Sequence, residues 1–328
     1  MKLLVTGGAG YIGSVVTALL LESGHEVVVL DDLSTGHAEA VAPGATFVRG
    51  RVQDRAAEIL TPDAGFDGVL HFAAFISVGE SVRQPERYWD NNVAGTLSLL
   101  SAMRAAGVPR LIFSSTGTVH GDLETLPIAE DAPVGPLNPY AASKLAVDYA
   151  LDGESAAHGL GAVSLRYFNA SGALLRPDGS AYGERHDPET HLIPIVLQVA
   201  AGVREKLPLY GDDYPTPDGT CVRDYIHVTD LATAHLLALE AVKPGEHRVY
   251  NLGNGNGYSN LEVVEAVRAV TGTGVPVEIA PRRPGDIVAQ VASSEKARRE
   301  LGWQPARADL RDIVSDAWEF YQRTVTRA

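Results

Sequence analysis

The sequence predicts an α/β protein: a doubly wound parallel sheet followed by a smaller C-terminal α/β region. Three observations lead there. Several short segments are apolar at every position instead of every second one, as strands buried on both faces are. Segments of helical period separate them, as crossovers between parallel strands require. After about Ala170 this rhythm gives way to shorter elements and to stretches rich in Gly, Pro and Asp.

Residues 2–5 read as the first buried strand. Glycines follow, then Ile12, Val15, Val16, Leu19 and Leu20, whose i, i+3, i+4, i+7, i+8 spacing gives one apolar helix face. Gly24 ends that helix, and EVVVL at 26–30 is the second strand. GVLHF at 68–72 is a strand, 85–106 a helix, RLIFS at 110–114 a strand, 139–158 a helix and AVSLR at 162–166 a strand. Beyond these come DYIHV at 224–228, VYNLG at Tyr250, and helices near 259–271 and 309–323. The expected division is 1–170 for the first domain and 171–328 for the second, with the chain returning to the first around 222–252. The stretch 171–222 is too long for an idle connection and is expected to be functional.

Composition limits the ligands. The chain has 328 residues, 45% apolar and 21% charged, with a formal net charge of -14. A diffuse negative field opposes nucleic-acid backbones and anionic membranes. An anionic ligand must then be met by placed arginines or backbone N–H groups. The single cysteine, Cys221, excludes an intrachain disulfide and a thiolate metal site, and it reads as a reduced, partly buried thiol. No metal ligand set is expected. The start, MKLLVTGG, lacks a signal-peptide pattern, and no apolar window is long enough for a membrane span. The expected setting is the cytoplasm.

Gly7-Gly8-Ala9-Gly10-Tyr11-Ile12-Gly13 has the spacing G-x-x-G-x-x-G. Such glycines permit a tight turn and let backbone N–H groups approach a pyrophosphate at a helix N-terminus. The turn stands between a buried strand and an amphipathic helix, the context that makes it a Rossmann dinucleotide fingerprint. Asp31 ends the second strand, 18 residues after Gly13. A carboxylate there accepts from a ribose diol and repels a 2′-phosphate, favouring NAD over NADP.

Asn138-Pro139-Tyr140-Ala141-Ala142-Ser143-Lys144 opens a helix, with Asn138 as N-cap and Pro139 in its first turn. Tyr140 and Lys144 share a face. An ammonium there is expected to lower the phenol pKa and give a base usable near neutral pH. The pair follows a strand ending in Ser114-Ser115-Thr116, behind the fingerprint, where open parallel sheets gather ligands. The Thr116 hydroxyl is placed to bridge a substrate hydroxyl and Tyr140.

The fingerprint, the Ser/Thr after the strand and Tyr140/Lys144 resemble the extended short-chain dehydrogenase/reductase superfamily. HFAAFISVGES (71–81), DNNVAGT (90–96), SLRYFNASGA (164–173), YGDDYPTPDGTCVRDYIHV (210–228), YNLGNGNG (250–257) and PRRPGD (281–286) narrow the resemblance to the UDP-galactose 4-epimerases, also called UDP-glucose 4-epimerases, essentially end to end. The resemblance implies an NAD site of Gly7, Gly10, Tyr11, Ile12, Gly13, Asp31, Val52, Phe72, Ala73, Ala74, Asn91, Ser114, Tyr140, Lys144 and Tyr167. It implies a UDP-sugar site of Thr116, Asn169, His191, Leu192, Tyr210, Arg223, Tyr225, Arg283, Asp286 and Gln290. In that reading Arg223 and Arg283 meet the pyrophosphate, and Tyr210 packs near the uracil. It further implies a homodimer, through the helices at 85–106 and 139–158.

The implied reaction is proton removal from the sugar 4-hydroxyl by Tyr140, hydride loss from C4, rotation of the 4-keto sugar and return of both. UDP is held tightly and the sugar loosely, so binding energy comes from the non-reacting end. Five positions depart from the family pattern. Thr116 stands for a common Ser, Ile76 for a Lys, Arg51 for an acidic residue, His120 for a Tyr and His191 for an Asn. Gln290 lies where side-chain size affects room at the sugar C2 substituent, which leaves a UDP-N-acetylhexosamine or UDP-hexuronate epimerase as the alternative. Thr116-Gly117-Thr118 lacks the carboxylates a sugar dehydratase uses, and intact Tyr140 and Lys144 argue against a non-catalytic binding protein.

Overall fold

The computed structural model describes residues 1–283 and 286–325; Pro284 and Gly285, within the PRRPGD block, lie outside the described residues. The chain enters as β1 (Lys2–Thr6), passes through the glycine turn into α1 (Tyr11–Glu22), and returns as β2 (Glu26–Asp31). Next come β3 (Thr46–Arg49), α2 (Val52–Ile59) and β4 (Gly68–His71). The helices α3 (Val78–Arg83), α4 (Pro85–Tyr88) and α5 (Gly95–Ala106) precede β5 (Arg110–Thr116), α6 (Pro139–His158) and β6 (Gly161–Tyr167).

The second region holds β7 (Asn169–Ser171), β8 (Ala173–Leu175), β9 (Ala181–Gly183), α7 (Leu192–Ala200), β10 (Leu207–Tyr210) and β11 (Val222–His227). It continues with α8 (Val228–Ala241), β12 (His247–Leu252), β13 (Gly257–Ser259) and α9 (Asn260–Thr271). The last elements are β14 (Val277–Ala280), β15 (Ala289–Gln290), α10 (Glu295–Leu301) and α11 (Leu310–Val325).

The central sheet has seven parallel strands in the order β12-β6-β5-β4-β1-β2-β3. Alternate residues of β1 explain its uniform apolarity. Leu3 and Val5 pack with α1 and α8 on one face, while Leu4 packs with α2, α5 and α6 on the other. From β1 the chain runs outward through β2 and β3, then crosses to β4 on β1's other side. That reversal opens a crevice at the carboxyl ends of β1 and β4, where ligands bind in such sheets.

The single helix expected over 85–106 is instead two helices joined by a π turn, Trp89–Ala94. The wider turn brings Asn92 inward, where its side chain accepts from Phe75 N–H at 2.9 Å and donates to Phe75 O and Ser143 Oγ at 3.0 and 3.1 Å. One polar side chain thus fixes the loop after β4 to α6. The stretch 171–222 is likewise structured, carrying β8, β9, α7 and β10. Of the segment 222–252, β12 joins the central sheet beside β6, and α8 covers the sheet with α1. β11 instead pairs with β7, β13 and β15. A separate core forms where α7, α9 and α11 bury Ile193, Val196, Val263, Val267, Ile313 and Val314. Among the described residues, no helix is long and apolar enough to cross a membrane.

Candidate active site

The glycine turn is shaped by three different constraints. Gly7 has φ +74°, and a Cβ there would lie 2.6 Å from Ala73 N, so the turn passes directly over the residues that follow β4. A Cβ on Gly13 would stand 2.2 Å from Gly7 O, so this glycine lets α1 close against the turn. At Gly10 a Cβ would meet only Gly7 O, at 3.3 Å, so that position faces open space above the helix. Gly10 provides no side-chain cap, and α1 has no acidic residue in its first turn. Its free N–H groups and positive dipole end suit a pyrophosphate.

Asp31 lies at the end of β2. Its Oδ2 accepts from Ala9 N–H at 3.0 Å and its Oδ1 from Leu33 N–H at 2.8 Å, which fixes the carboxylate beside the turn. Burial raises its pKa, and the two N–H bonds act in the opposite sense. Phe72 N–H is bound to Thr6 O, so Phe72, Ala73 and Ala74 leave β4 next to β1. These residues and the open cradle at Gly10 fit a dinucleotide. Val52 begins α2, and the preceding Arg51 pairs with Asp90 at 2.7 Å, next to Asn91 in the π turn.

The helix that carries Tyr140 and Lys144, α6, begins as expected, with Asn138 Oδ1 accepting from Ala141 N–H at 2.9 Å and Pro139 in the first turn. Thr116 acts on Tyr140 and favours its ionised form, while the Thr116 hydroxyl oxygen lies 3.0 Å from Thr118 Oγ1 and accepts from Thr118 N–H at 3.2 Å. Lys144, fully buried, donates from Nζ to Ser114 O at 2.8 Å and lies over the Phe113 ring. Tyr167, opposite Thr116 in the β5–β6 register, is bound through its hydroxyl to Ser114 Oγ.

The expected effect of Lys144 on Tyr140 is corrected. Burial raises the Tyr140 pKa, and the opposing influence is Thr116. Burial also lowers Lys144 to about 7, against the attraction of Asp148. The low-dielectric site penalises both charged forms, and the ammonium is engaged by a backbone carbonyl.

Around this pair lies a network that motif reading passed over. Arg166 binds Asp148 Oδ2 through Nη2 at 2.8 Å and Nε at 3.1 Å, and Ser115 Oγ donates to the same oxygen at 3.3 Å. His120 Nδ1 lies 3.0 Å from Pro133 O and so carries the proton, leaving Nε2 toward Arg166 Nη1 at 3.5 Å. Asp148 stands four residues after Lys144 on the same buried face. A carboxylate at a core position of a helix was the available signal, because it demands a buried partner.

The expected substrate residues fall into three groups. In the small sheet, β7 sets Asn169 opposite Tyr225, and β15 sets Gln290 opposite Arg223. Gln290 Nε2 donates to Gly121 O at 3.3 Å, which ties this sheet to the loop after Thr116. Arg223 donates to Val222 O, and Tyr225 is buried in the α7–α9–α11 core. Tyr210 ends β10, and the Arg283 guanidinium lies 4.7 Å from its ring centroid and makes two bonds to Asp286, at 3.0 and 3.1 Å. His191 and Leu192 stand at the start of α7.

His191 is also part of a cluster with Glu184, His186 and Glu189, whose potential ligand atoms all lie within 4.8 Å of one another. Burial opposes the charge on His191, but Glu184 and Glu189 outweigh it and raise the imidazole pKa. Two links join this segment's surroundings to the cofactor half: Tyr11 Oη donates to Gly172 O at 2.7 Å, and His37 Nε2 lies 2.8 Å from Arg185 O.

A fixed dinucleotide cradle facing a buried Tyr–Lys pair defines a nicotinamide-dependent enzyme that works on an alcohol or its ketone. Comparison with known proteins is more specific. Residues 3–253 match the model of the NAD dependent epimerase/dehydratase family, and the chain belongs to that family. It is 60% identical over 324 residues to a UDP-glucose 4-epimerase of Streptomyces lividans, covering 98% of this chain and 96% of that one. With the UDP-glucose 4-epimerase of Corynebacterium glutamicum the identity is 56% over 320 residues, with 98% and 95% covered. The fold superimposes on a UDP-glucose 4-epimerase from Stenotrophomonas maltophila, solved with bound NAD and formylated UDP-arabinopyranose, with a TM-score of 0.92, 41% identity and 100% of both chains covered.

Proposed function

We propose that the chain interconverts UDP-galactose and UDP-glucose by epimerisation at C4, with NAD held throughout the cycle. The observation that carries this reading is Tyr140 with Thr116 acting on it and buried Lys144 one helical turn further on, at the carboxyl end of the sheet where the glycine turn emerges. Gly7, Gly10, Tyr11, Ile12, Gly13 and Asp31 would hold NAD, with Val52, Phe72, Ala73, Ala74, Asn91, Ser114, Tyr140, Lys144 and Tyr167 around it. When bound, NAD supplies the acceptor for the C4 hydride and the donor that returns it.

Tyr140 removes the proton of the sugar 4-hydroxyl and later protonates the oxygen of the opposite epimer. Thr116 favours the ionised phenol by hydrogen bonding and orients it. Lys144, anchored on Ser114 O, keeps a cation donor in the crevice. The Asp148–Arg166 pair fixes the buried side of the same helix, so the Tyr140 hydroxyl is presented from a rigid element. Arg223 and Arg283 bind the UDP end, with Tyr210, Asn169, His191, Leu192, Tyr225, Asp286 and Gln290 forming its surroundings. Tyr225 acts there from within the core, as support for β11.

The decisive assay supplies purified protein with UDP-galactose and no added reductant. UDP-glucose should accumulate to equilibrium with no net change in NADH absorbance. No interconversion in the presence of NAD overturns the reading.

We further propose a homodimer. Trp89, Leu97 and Tyr149 are exposed on the π turn, α5 and α6, and the Arg104–Glu154 ion pair holds α5 and α6 together. Residues 1–170 and 171–328 are proposed as the cofactor and substrate domains, and the cytoplasm as the site of action. Cell fractionation tests the last of these.

A further inference from the structure

We infer that Glu184, His186, Glu189 and His191 form a four-ligand zinc site that fixes the segment between β9 and α7. Convergence is the basis. Both imidazoles turn Nδ1 toward the same oxygen, Glu184 Oε1, at 3.0 Å from His186 and 2.7 Å from His191. His191 Nδ1 also faces Glu189 Oε1 at 3.2 Å, and His186 Nδ1 faces Glu189 Oε2 at 3.8 Å. A tetrahedral ion with bonds near 2.0–2.1 Å sets its ligand atoms about 3.3 Å apart; with Glu189 Oε1 as its ligand atom, the separations of 3.0, 2.7 and 3.2 Å lie on the short side of that value. Each Nδ1 thus faces both carboxylates, and one Nδ1–H cannot be directed well at two of them at once.

The donor set and its surroundings support the same assignment. Two imidazole nitrogens and two carboxylate oxygens suit zinc, whereas magnesium and calcium prefer all-oxygen shells. Glu189 Oε1 accepts from Thr190 N–H at 2.7 Å and His191 N–H at 2.8 Å, which fixes the carboxylate, as hydrogen bonds from outside the ligand set fix metal-binding carboxylates. The side chains of Glu184 and Glu189 are nearly buried, so both carboxylates need a close positive partner. A cavity of about 200 Å³, lined by Glu184, His186, Glu189, Pro194, Gln198 and Tyr321, reaches the cluster and gives an ion a way in.

All four ligands come from eight consecutive residues, and four protein ligands make a closed, structural site. The ion would set the start of α7 and, through Gly172 and Arg185, the contacts to Tyr11 and His37. His191 would then present only Nε2 to a substrate. This inference stands apart from the epimerase reading, and its readouts are metal content and thermal stability.

The test is metal analysis by plasma mass spectrometry on the NAD-loaded protein after gel filtration. About one zinc per chain is expected for a structural site. Stripping with a chelator should lower Tm, and added Zn²⁺, but not Mg²⁺, should restore it. His186→Ala should lose most of its zinc while keeping its NAD content, which reports a folded cofactor domain. Wild-type protein without zinc whose Tm ignores added Zn²⁺ overturns the proposal. A His186→Ala variant that keeps a full equivalent also overturns it.

Discussion

At the scale of single residues, the chemistry depends on how a buried phenol is made to ionise. Burial raises the Tyr140 pKa, and Thr116 is what counters it. Thr116→Val should therefore shift the acid limb of the kcat–pH profile to higher pH and slow turnover at pH 7 by roughly tenfold or more. Thr116→Ser keeps the hydroxyl and should restore both. An unmoved profile in the valine variant would remove Thr116 from the mechanism. Tyr140→Phe keeps the ring and its edge-on contact with Tyr88 but loses the proton acceptor. Turnover should fall by about 10²–10⁴, with NAD content unchanged. Activity near the wild-type level would refute the assignment of the base.

Elements meet at positions where one atom too many, or one acceptor too few, is felt at once. Gly13→Ala would push a methyl against Gly7 O and drive α1 away from the turn. NAD bound after purification should drop well below one per chain, and unfolding should become easier by about 1–3 kcal/mol. At the far side, Asp224 gathers three backbone donors: Asn254 N–H at 2.8 Å, Gly255 N–H at 3.1 Å and Ala292 N–H at 3.0 Å. Gly253 passes so close that a Cβ there would lie 2.3 Å from Asp224 Oδ2. This explains why the DYIHV and YNLGNG blocks belong together: one supplies the acceptor, the other two of the three donors and the room. Asp224→Asn replaces one acceptor oxygen by a donor, leaving buried N–H groups unmet. A loss of roughly 2–4 kcal/mol is expected in urea unfolding; a wild-type midpoint would show that this junction contributes nothing.

Two buried histidines couple the stability of the whole molecule to pH. His71 is held to about 3, by burial first and then by Lys144. His235 is held to about 4, because burial outweighs its bond to Leu231 O. In the unfolded chain both take up protons near pH 6.5. Their neutral forms are therefore favoured on folding, and the contribution is complete above that pH. Stability should fall as pH drops from 6.5 toward 4, by up to ~1.4 kcal/mol per pH unit for each group. The measurement is Tm across that range, and His235→Asn should flatten the slope. Assembly is tested separately: Leu97→Asp places a charge on the proposed dimer surface and should halve the mass by light scattering. An unchanged mass would place the interface elsewhere.

The sequence by itself determined what local geometry demands. The Gly7–Gly13 turn was legible because only glycine admits those close approaches, and the strands because burial on both faces leaves no polar position. Tyr140 and Lys144 were legible because four residues make one helical turn. Asp31 was legible from its place at a strand end. Tertiary structure alone decided the rest. The π turn that brings Asn92 inward follows from a partner loop after β4, and β12 reaches the central sheet only by pairing with β6, more than eighty residues earlier. The opposite sense of the Tyr140 shift and the Asp148–Arg166 pair arise from desolvation and from contacts between separate segments, and the convergence of Glu184, His186, Glu189 and His191 arises from the irregular path of the chain between β9 and α7. Periodicity records which face of an element is buried; it does not record which charges the fold then brings together, and in a low-dielectric interior that is what sets their chemistry.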